Sequence, residues 1–332
     1  MSDERHILLV SHTGRQDSID AAVEVCDILH AADVTPVMPF DEYADVRRAE
    51  ASVGKVDILG VDVQAEDLEI VIVLGGDGTI LRAAELVRGT RAPIVGVNLG
   101  HVGFLAESER DGLTETVNRA LSGAYHVEER VALQVDVVVG QETVYSSWAL
   151  NEATIEKASR ERMLEVVTEV DGRPLSSFGC DGVVVSTPTG STAYSFSGGG
   201  PIVWPDVDAI LMVPLSAHAL FARPIVVGPD CTLAVEVLRR TSGVGVLWCD
   251  GRRAHDLPPG ARVEVHRSPE PVRVARLKDA PFTDRLVAKF RLPVAGWRGP
   301  QRDDEYEQDP GTARGDQPGT AAEPGSSVGP VK

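Results

Sequence analysis

The sequence has few of the features that mark secreted, membrane-spanning or zinc-binding proteins. Its 4 cysteines, Cys26, Cys180, Cys231 and Cys249, are widely spaced and include no C-x-x-C pair. That spacing argues against both a disulfide framework and a metal site. No apolar run approaches the ~20 residues of a membrane-spanning helix, and the N-terminus lacks the layout of a signal peptide. We therefore expect reduced thiols and a cytoplasmic protein.

Positive charge is also scarce. The 332 residues include 32 Lys and Arg against 50 Asp and Glu, which gives a formal net charge of -18 at pH 7. Such an acidic chain is poorly suited to a general nucleic-acid surface or to an anionic membrane. We expect neither partner. The length is typical of about two domains, each large enough for its own core.

The most informative stretch is Gly75–Thr79, which reads Gly-Gly-Asp-Gly-Thr. It follows Ile70–Leu74, an apolar run typical of a strand buried on both faces, and it precedes a helix predicted over 80–88. Glycines in such a turn let backbone N–H groups approach a phosphate, and the helix N-terminus favours negative charge. Asp77 would repel that anion. A carboxylate in this place is therefore expected to accept a proton or to hold a metal ion.

Other interpretations of this turn are open at this point. Asp77 would have no chemical role if it only capped the helix. A dinucleotide-binding G-x-G-x-x-G would need glycine where Leu81 stands, and a P-loop would need a lysine that is absent. The turn instead resembles the diphosphate loop shared by NAD kinases, diacylglycerol-type lipid kinases and phosphofructokinases.

The N-terminal part alternates strand and helix patterns, which predicts a Rossmann-like parallel α/β domain. We predict a strand at His6–Val10, a helix over 18–31 and a strand over 93–98. The segment 39–60 has no clear period and is interpreted as a mobile connection. A second glycine-rich loop, 98–105, leaves the last of these strands. It should share one crevice with the first loop, because active sites of open α/β sheets lie beyond the carboxyl ends of the strands.

Past Gly123 the period becomes alternating, which predicts a second, all-β domain that is β-sandwich-like. Asp171-Gly172 marks a hairpin turn. We assign Val272 and Val274 to the last strand of this domain. The predicted organisation is an α/β domain over 1–123, a β-rich domain over 124–280, a helix over 281–296 that returns to the first domain, and a disordered acidic tail over 297–332.

Two stretches of the second half carry more polar groups than a β core requires. Asn151-Glu152 offers an adjacent amide and carboxylate at a strand end, suited to ribose hydroxyls and a base amide. The segment 180–201 replaces aliphatic core residues with hydroxyls, glycines and Tyr194, which is available to stack on a base. No G-x-S-x-G is present, so a hydrolase serine is not supported.

Together these stretches resemble the bacterial NAD kinases, over about residues 5–292. The most specific part is the segment 187–201, which lipid kinases and phosphofructokinases lack. The resemblance implies phosphorylation of NAD to NADP in a crevice between the two domains. It also implies NAD and ATP, or polyphosphate, as substrates, Mg²⁺ accompanying the ATP, and a homodimer or homotetramer.

The resemblance also assigns roles to residues. Asp77 matches the family's catalytic base, which takes the proton from the 2′-hydroxyl of the adenosine ribose. Gly76 and Gly78 match the loop at the phosphates, and Arg82 and Arg162 match positions where a cationic or polar contact is common. The other matches are positions that bind the dinucleotide: Asn151, Glu152, Asp181, Thr192, Ala193, Tyr194, Ser195, Phe196 and Ser197.

One departure and two alternatives remain. Many relatives carry Asp-Gly-Gln where this chain has Asp250-Gly251-Arg252, and one hypothesis is that a basic residue there favours a longer phosphate donor. A lipid kinase would share the loop Gly75–Thr79 but lack the segment 187–201. A non-catalytic nucleotide sensor would keep the binding residues but have no use for Asp77.

Overall fold

The structure, a computed structural model, describes residues 5–49, 52–100, 103–159, 163–241, 243–277 and 281–294. The chain forms one compact unit as far as Leu292. Arg162 and the tail predicted over 297–332 lie outside the described residues. The domain limits drawn from the sequence stay predictions.

The first part of the chain alternates strands and helices, as its sequence pattern predicts. Two short 3-10 turns, Ala65–Asp67 and Arg110–Gly112, interrupt the connections. The elements are β1 (Ile7–Ser11), α1 (Gln16–Ala31), β2 (Pro36–Met38), α2 (Phe40–Arg48), β3 (Asp57–Ile58), β4 (Ile70–Leu74), α3 (Asp77–Leu86), β5 (Ile94–Asn98), β6 (Ser108–Glu109), α4 (Leu113–Ser122) and β7 (His126–Arg130).

The second part consists mostly of strands. One 3-10 turn, Thr189–Thr192, and the single-turn α5 break the series. The elements are β8 (Leu133–Val139), β9 (Glu142–Ala149), β10 (Glu152–Lys157), β11 (Leu164–Val170), β12 (Arg173–Cys180), β13 (Gly182–Ser186), α5 (Tyr194–Ser197), β14 (Ile210–Leu215), β15 (Ile225–Val227), β16 (Leu233–Val237), β17 (Gly245–Cys249), β18 (Arg253–Leu257), β19 (Ala261–Arg267), β20 (Val272–Arg276) and α6 (Phe282–Phe290).

The first sheet is parallel over most of its width. Its strand order is β3-β2-β1-β4-β5-β20-β7, with β6 beside β5, and among the described strands of this sheet only the β20–β7 pair is antiparallel. Side chains of β1 point alternately to the two faces: Ile7 and Leu9 pack with α1 and α4, while Leu8 and Val10 pack with α3. Because helices cover both faces, the central strands are apolar throughout.

Strand register brings the loops of the first sheet together. Ser11 at the end of β1 is paired with Leu74 at the end of β4, which in turn is paired with Val97 in β5. The connections after these three strands therefore leave the sheet from the same end, at the carboxyl ends of the strands. This is the end at which ligands bind in open α/β sheets.

The second part folds into two six-stranded antiparallel sheets, in the orders β15-β14-β13-β10-β17-β18 and β12-β11-β16-β19-β8-β9. Apolar side chains of both sheets, such as Val185 and Val235, form one buried cluster between them. The predicted sandwich-like domain is thus confirmed. In the first of these sheets, Glu152 pairs with Ser186 and Ala153 with Cys249. The loops that adjoin these residues therefore lie at the same end of the strands.

Two segments differ from the sequence prediction. Val272 and Val274 lie in β20, which joins the first sheet beside β5 instead of ending the β domain. Alternation identifies a strand but not its partner, which is why the assignment was wrong. The segment 39–60 is not wholly a connection, since it contains α2 and β3. Acidic residues in the first turn of α2 and basic residues in its last turn complement the helix dipole.

Helix α6 lies within the predicted helix and contacts the first domain. The ring of Phe104 lies 6.0 Å from Phe282 and 5.7 Å from Phe290, measured between centroids. Across the described ranges, no helix is long and apolar enough to cross a membrane.

Candidate active site

The turn between β4 and α3 begins at a position that only glycine fits. Gly75 has φ of +156°, and a Cβ on it would lie 2.5 Å from the Thr79 hydroxyl oxygen. Gly76 and Gly78 are exposed, and a Cβ on either would meet no atom within 4 Å. Their peptide groups are therefore open to a ligand at the helix N-terminus, where phosphate groups bind well.

Asp77 does not cap its own helix. The N-cap is Gly76, and the Asp77 carboxylate accepts hydrogen bonds from the backbone N–H groups of Phe104 at 3.2 Å and Leu105 at 3.1 Å. A Cβ on Gly103 would lie 2.5 Å from the same carboxylate. The two glycine-rich loops thus meet at Asp77, as expected for a shared crevice.

Arg82 lies one turn further along α3 and is held by two carboxylates. It donates to Glu42 and to Asp41, each at 2.6 Å. The Glu42 side chain is 1% exposed and also accepts the N–H of Ser11 at 2.6 Å. Burial raises the pKa of Glu42 to about 7, although the bond from Ser11 and the charge of Arg82 oppose the rise. These two ion pairs hold the Arg82 side chain near the turn between β4 and α3.

The second cluster of predicted site residues is organised by a side chain that the sequence prediction missed. The carboxylate of Asp250 accepts the N–H groups of Leu150 at 2.9 Å, Asn151 at 2.7 Å and Glu152 at 3.3 Å. Asp250 itself is in the left-handed conformation, with φ of 53°, and Gly251 follows with φ of 63°. The Asp-Gly pair between β17 and β18 is a recognisable hairpin signal. It predicts the turn but not the contact with Asn151.

Glu152 is buried without a full set of partners. It is 8% exposed, and its Oε2 has no hydrogen-bond partner. Burial and the nearby charge of Asp250 raise the pKa of Glu152 to about 8. A buried carboxyl group with an unpaired oxygen is a natural site for a ligand hydrogen bond, because buried polar atoms are rarely left without one.

The hydroxyl-rich segment after β13 packs directly on Asn151. Thr187 donates its N–H to the Asn151 carbonyl at 2.9 Å and its hydroxyl to the Leu150 carbonyl at 2.6 Å. Gly190 lies so close that a Cβ there would collide with the Asn151 carbonyl oxygen. Small and hydroxyl-bearing residues are therefore needed for this segment to approach the loop that carries Asn151 and Glu152.

The same segment presents several side chains outward. Tyr194 and Phe196 are each 40% exposed, and burial raises the pKa of Tyr194. Ser195 is fully buried, and its hydroxyl has no hydrogen-bond partner. The Thr192 hydroxyl donates to the Thr189 carbonyl at 3.3 Å. Ala193 is half-buried and Ser197 is exposed on either side of these residues.

Asp181 directly precedes β13, at the opposite end of that strand from Ser186 and Thr187. It forms an ion pair with Lys157, and hydrogen bonds from Lys157 and Ser216 hold its pKa below the usual range. Its side chain is 47% exposed. Asp181 is therefore an ionised and accessible carboxylate, but the register of β10 and β13 places it at the other end of these strands from Glu152.

The two groups of predicted site residues are joined through α6. The ring of Phe290 lies 5.7 Å from Phe104, next to the loop that contacts Asp77, and 4.8 Å from Phe196 in the second cluster. One helix therefore touches both sides of the candidate site. No sequence pattern indicated these ring pairs, because they join distant parts of the chain.

Two models of known protein families together match most of the chain as far as Leu292. The ATP-NAD kinase N-terminal domain matches residues 7–125, and the ATP-NAD kinase C-terminal domain matches residues 150–277. The NAD kinase of Leifsonia xyli is 67% identical over 300 residues, covering 90% of this chain and 99% of the relative. The NAD kinase of Thermobifida fusca is 58% identical over 301 residues, covering 89% and 92%.

Solved structures show the same fold. Yeast NADH kinase complexed with NADH has a TM-score of 0.75 at 22% identity, covering 87% of each chain. An NAD kinase from Archaeoglobus fulgidus in complex with ATP has a TM-score of 0.63 at 22% identity, covering 86% of this chain and 98% of the other. On the strength of the close relatives and both domain matches, the chain belongs to the NAD kinase family.

Proposed function

We propose that this enzyme transfers the γ-phosphate of ATP, or a phosphate of polyphosphate, to the 2′-hydroxyl of the adenosine ribose of NAD⁺, giving NADP⁺. The observation that carries the residue assignment is the Asp77 carboxylate at an open glycine turn. Two backbone N–H groups, from Phe104 and Leu105, orient it. The alternatives, a lipid kinase and a non-catalytic sensor, are not favoured by relatives that are NAD kinases.

Asp77 acts as the general base in this proposal. A ribose hydroxyl is a weak nucleophile at neutral pH, and phosphoryl transfer depends mainly on alignment and charge neutralisation. Each oxygen of Asp77 accepts one N–H and keeps a further lone pair for the hydroxyl proton. The exposed peptide groups of Gly76 and Gly78 would bind the transferred phosphate.

The second cluster would hold the dinucleotide. The unpaired oxygen of Glu152, protonated near neutral pH, would share a hydrogen bond with a hydroxyl or amide of NAD. The Asn151 side chain would bind beside it. Asp181 and the segment from Thr192 to Ser197 would line the rest of the site, and the exposed ring of Tyr194 would stack on a base.

Mg²⁺ enters this proposal as part of the substrate MgATP. Within the described ranges, no group of three or more His, Cys, Asp or Glu side chains is placed to hold a metal ion. Mg²⁺ in such sites commonly binds substrate phosphates and water with few protein ligands. Mg²⁺ bound to the substrate phosphates would offset the negative charge of the triphosphate.

Further assignments rest on family resemblance. Arg82 and Arg162 are proposed phosphate contacts; for Arg82 this requires a phosphate oxygen to share the guanidinium with Asp41 and Glu42. A homodimer or homotetramer and a cytoplasmic location are likewise proposals. Light scattering on the purified chain tests the oligomeric state.

One assay tests the proposed reaction. Purified chain is incubated with NAD⁺ or NADH as acceptor and MgATP or polyphosphate as donor, and the 2′-phosphorylated product is measured with an NADP-specific dehydrogenase. Diacylglycerol serves as the competing acceptor, and its phosphorylation is measured as transfer of labelled γ-phosphate from ATP to the lipid. We expect product with NAD⁺ and none with diacylglycerol. Binding of NAD⁺ without phosphorylation would favour the sensor instead.

A further inference from the structure

A continuous set of contacts runs from helix α3 to the loop before β10, outside the residues that the resemblance assigns. Helix α3 begins at Asp77 and carries Glu85 near its end. We propose that Glu85, Arg253 and Asp250 are positioning residues, and this proposal rests on the proposed function. Together these three residues form a relay. The relay fixes the position of helix α3, which carries Asp77, relative to Asn151 and Glu152. Arg253 is the central member of this relay.

Asp250 is the member of the relay that contacts the proposed dinucleotide-binding residues. Its carboxylate holds three successive backbone N–H groups of residues 150–152, and its own N–H donates to the Glu152 carbonyl at 2.9 Å. Asp250 is 7% exposed. Bonds to three adjacent peptide groups leave the loop little freedom to rotate, so the placement of Asp250 sets the placement of Asn151 and Glu152.

Arg253 connects Asp250 to the first domain. One of its terminal nitrogens donates to Asp250 at 3.0 Å and to the Trp148 carbonyl at 2.7 Å. The other donates to Glu85 on α3. A single planar guanidinium thus holds both sides of the candidate site, a task for which its fixed fork geometry is well suited.

A second contact follows the same path. Two guanidinium groups lie over the Trp148 ring, that of Arg253 at 4.7 Å and that of Arg88, just after α3, at 4.4 Å from the ring centroid. Arg88 is itself held by the Glu270 carbonyl and the Ser268 hydroxyl, both at 2.7 Å. Stacking on Trp148 therefore supports the same spacing that the ion pair sets.

Arg5 provides a control outside the relay. It donates to Glu69 at 2.7 Å and 2.6 Å, and the two side chains are 37% and 34% exposed. The pair lies just before β1 and β4, at the end of the sheet opposite to the turn between β4 and α3. Its loss would therefore remove an ion pair of similar kind while leaving the path to Asn151 intact.

Loss of Arg253 removes the partner of Asp250, whose side chain is 2% exposed, and should therefore lower the free energy of unfolding. Loss of the Glu85 contact should affect catalysis more than stability. The Glu85 and Arg253 side chains are each 23% exposed, and ion pairs near the surface add little to the free energy of unfolding. In contrast, a displacement of about 1 Å between reacting groups lowers the rate about 100-fold. The relay limits such a displacement between Asp77 on one side of the site and Asn151 and Glu152 on the other.

The test compares Glu85→Gln, Arg253→Gln, their double variant and Arg5→Gln in the full chain, with NAD⁺ and MgATP varied in turn. We expect Arg253→Gln to lower kcat about 10-fold or more and to raise KM for NAD⁺, because Asp250 loses its partner. Glu85→Gln should lower kcat with less effect on KM, since Arg253 still holds Asp250. The double variant should resemble Arg253→Gln, and Arg5→Gln should stay within about twofold of the unchanged enzyme.

Several outcomes would overturn the relay. Loss of melting temperature with unchanged kcat and KM would show a structural role only, and additive effects in the double variant would show independent residues. Arg253→Lys supplies a variant of the same charge if Arg253→Gln fails to fold; it should recover part of the activity. If the unchanged chain does not phosphorylate NAD⁺, the proposed function fails. The relay is then tested by calorimetry with NAD⁺, which must bind more weakly to Arg253→Gln than to Arg5→Gln.

Discussion

At the residue scale, Glu152 is the side chain whose protonation depends most clearly on its surroundings. It is the first residue of β10 and lies near the carboxylate of Asp250 and the backbone of Tyr194. Burial disfavours its charged form, and the charge of Asp250 disfavours it further. The pKa of about 8 means that folded protein retains a proton on Glu152 that an unfolded chain would release above about pH 4.5.

This raised pKa predicts a pH-dependent effect of Glu152→Gln. Between about pH 4.5 and pH 8 the folded state binds more protons than the unfolded state, so Glu152 lowers stability as pH rises, by at most ~1.4 kcal/mol per pH unit. Glutamine removes that loss. The melting temperature of the variant relative to unchanged protein should therefore increase steadily across this range. A difference independent of pH would show that Glu152 is ionised in the folded state.

Individual residues differ in how far the sequence reveals their roles. Asp77 is predictable, because a carboxylate within a glycine turn is chemically unusual and lies in one short segment. The hydrogen bond from the Asn151 backbone N–H to Asp250 is not predictable, because the two residues are 99 positions apart and meet only after β10 and β17 pair. Local patterns identify turns and strands, while contacts of this kind arise from the assembled sheets.

At the element scale, helix α6 connects the two sides of the candidate site. Phe290 contacts both Phe104 and Phe196, and Arg285 donates to the carbonyl groups of Phe104 at 3.1 Å and Ala106 at 2.7 Å. These contacts hold the loop that orients Asp77. The helix therefore supports the site although it contributes none of the proposed ligand contacts.

Truncation of the central ring tests this role. Phe290→Ala should lower the free energy of unfolding by about 1–3 kcal/mol, because two aromatic pairs are lost along with their buried area. It should also raise KM for NAD⁺, because Phe196 loses its support. Urea unfolding and steady-state kinetics measure both effects, with Phe40→Ala as a control at a ring that is 69% exposed. Equal behaviour of the two variants would contradict the supporting role.

The elements themselves were largely predictable, and their partners were not. Apolar runs and alternation correctly predicted strands at Ile70–Leu74 and around Val272. The membership of β20 in the first sheet depends on the chain returning across about 180 residues to pair with β5. Helix α2 was overlooked because only two of its nine residues, Glu42 and Val46, are buried, which leaves almost no apolar stripe.

At the scale of the whole molecule, the folded unit ends at Leu292, while the sequence continues to Lys332. The composition of the segment beyond Gly299, rich in Asp, Glu, Gly and Pro, predicts that it adds nothing to the core. A chain ending at Pro300 should therefore keep its activity and its melting temperature.

Scanning calorimetry and NAD⁺ kinetics on the truncated and full chains measure this directly. A second truncation, ending before Phe282, should lose activity because it removes α6 and its contacts with Phe104. A fall of several degrees in the melting temperature of the chain ending at Pro300 would show that the tail packs against the folded unit.

The central claim is that Asp77 is the base in transfer of phosphate to NAD⁺, and Asp77→Asn tests it most directly. Asparagine keeps an oxygen for one backbone N–H bond but does not accept a proton from the ribose hydroxyl. Asp33→Asn is the control, because Asp33 is exposed and its left-handed backbone suits asparagine. We predict that Asp77→Asn lowers kcat at least ~100-fold while calorimetry still detects NAD⁺ binding, and that Asp33→Asn changes neither. Near-normal turnover by Asp77→Asn would contradict the account.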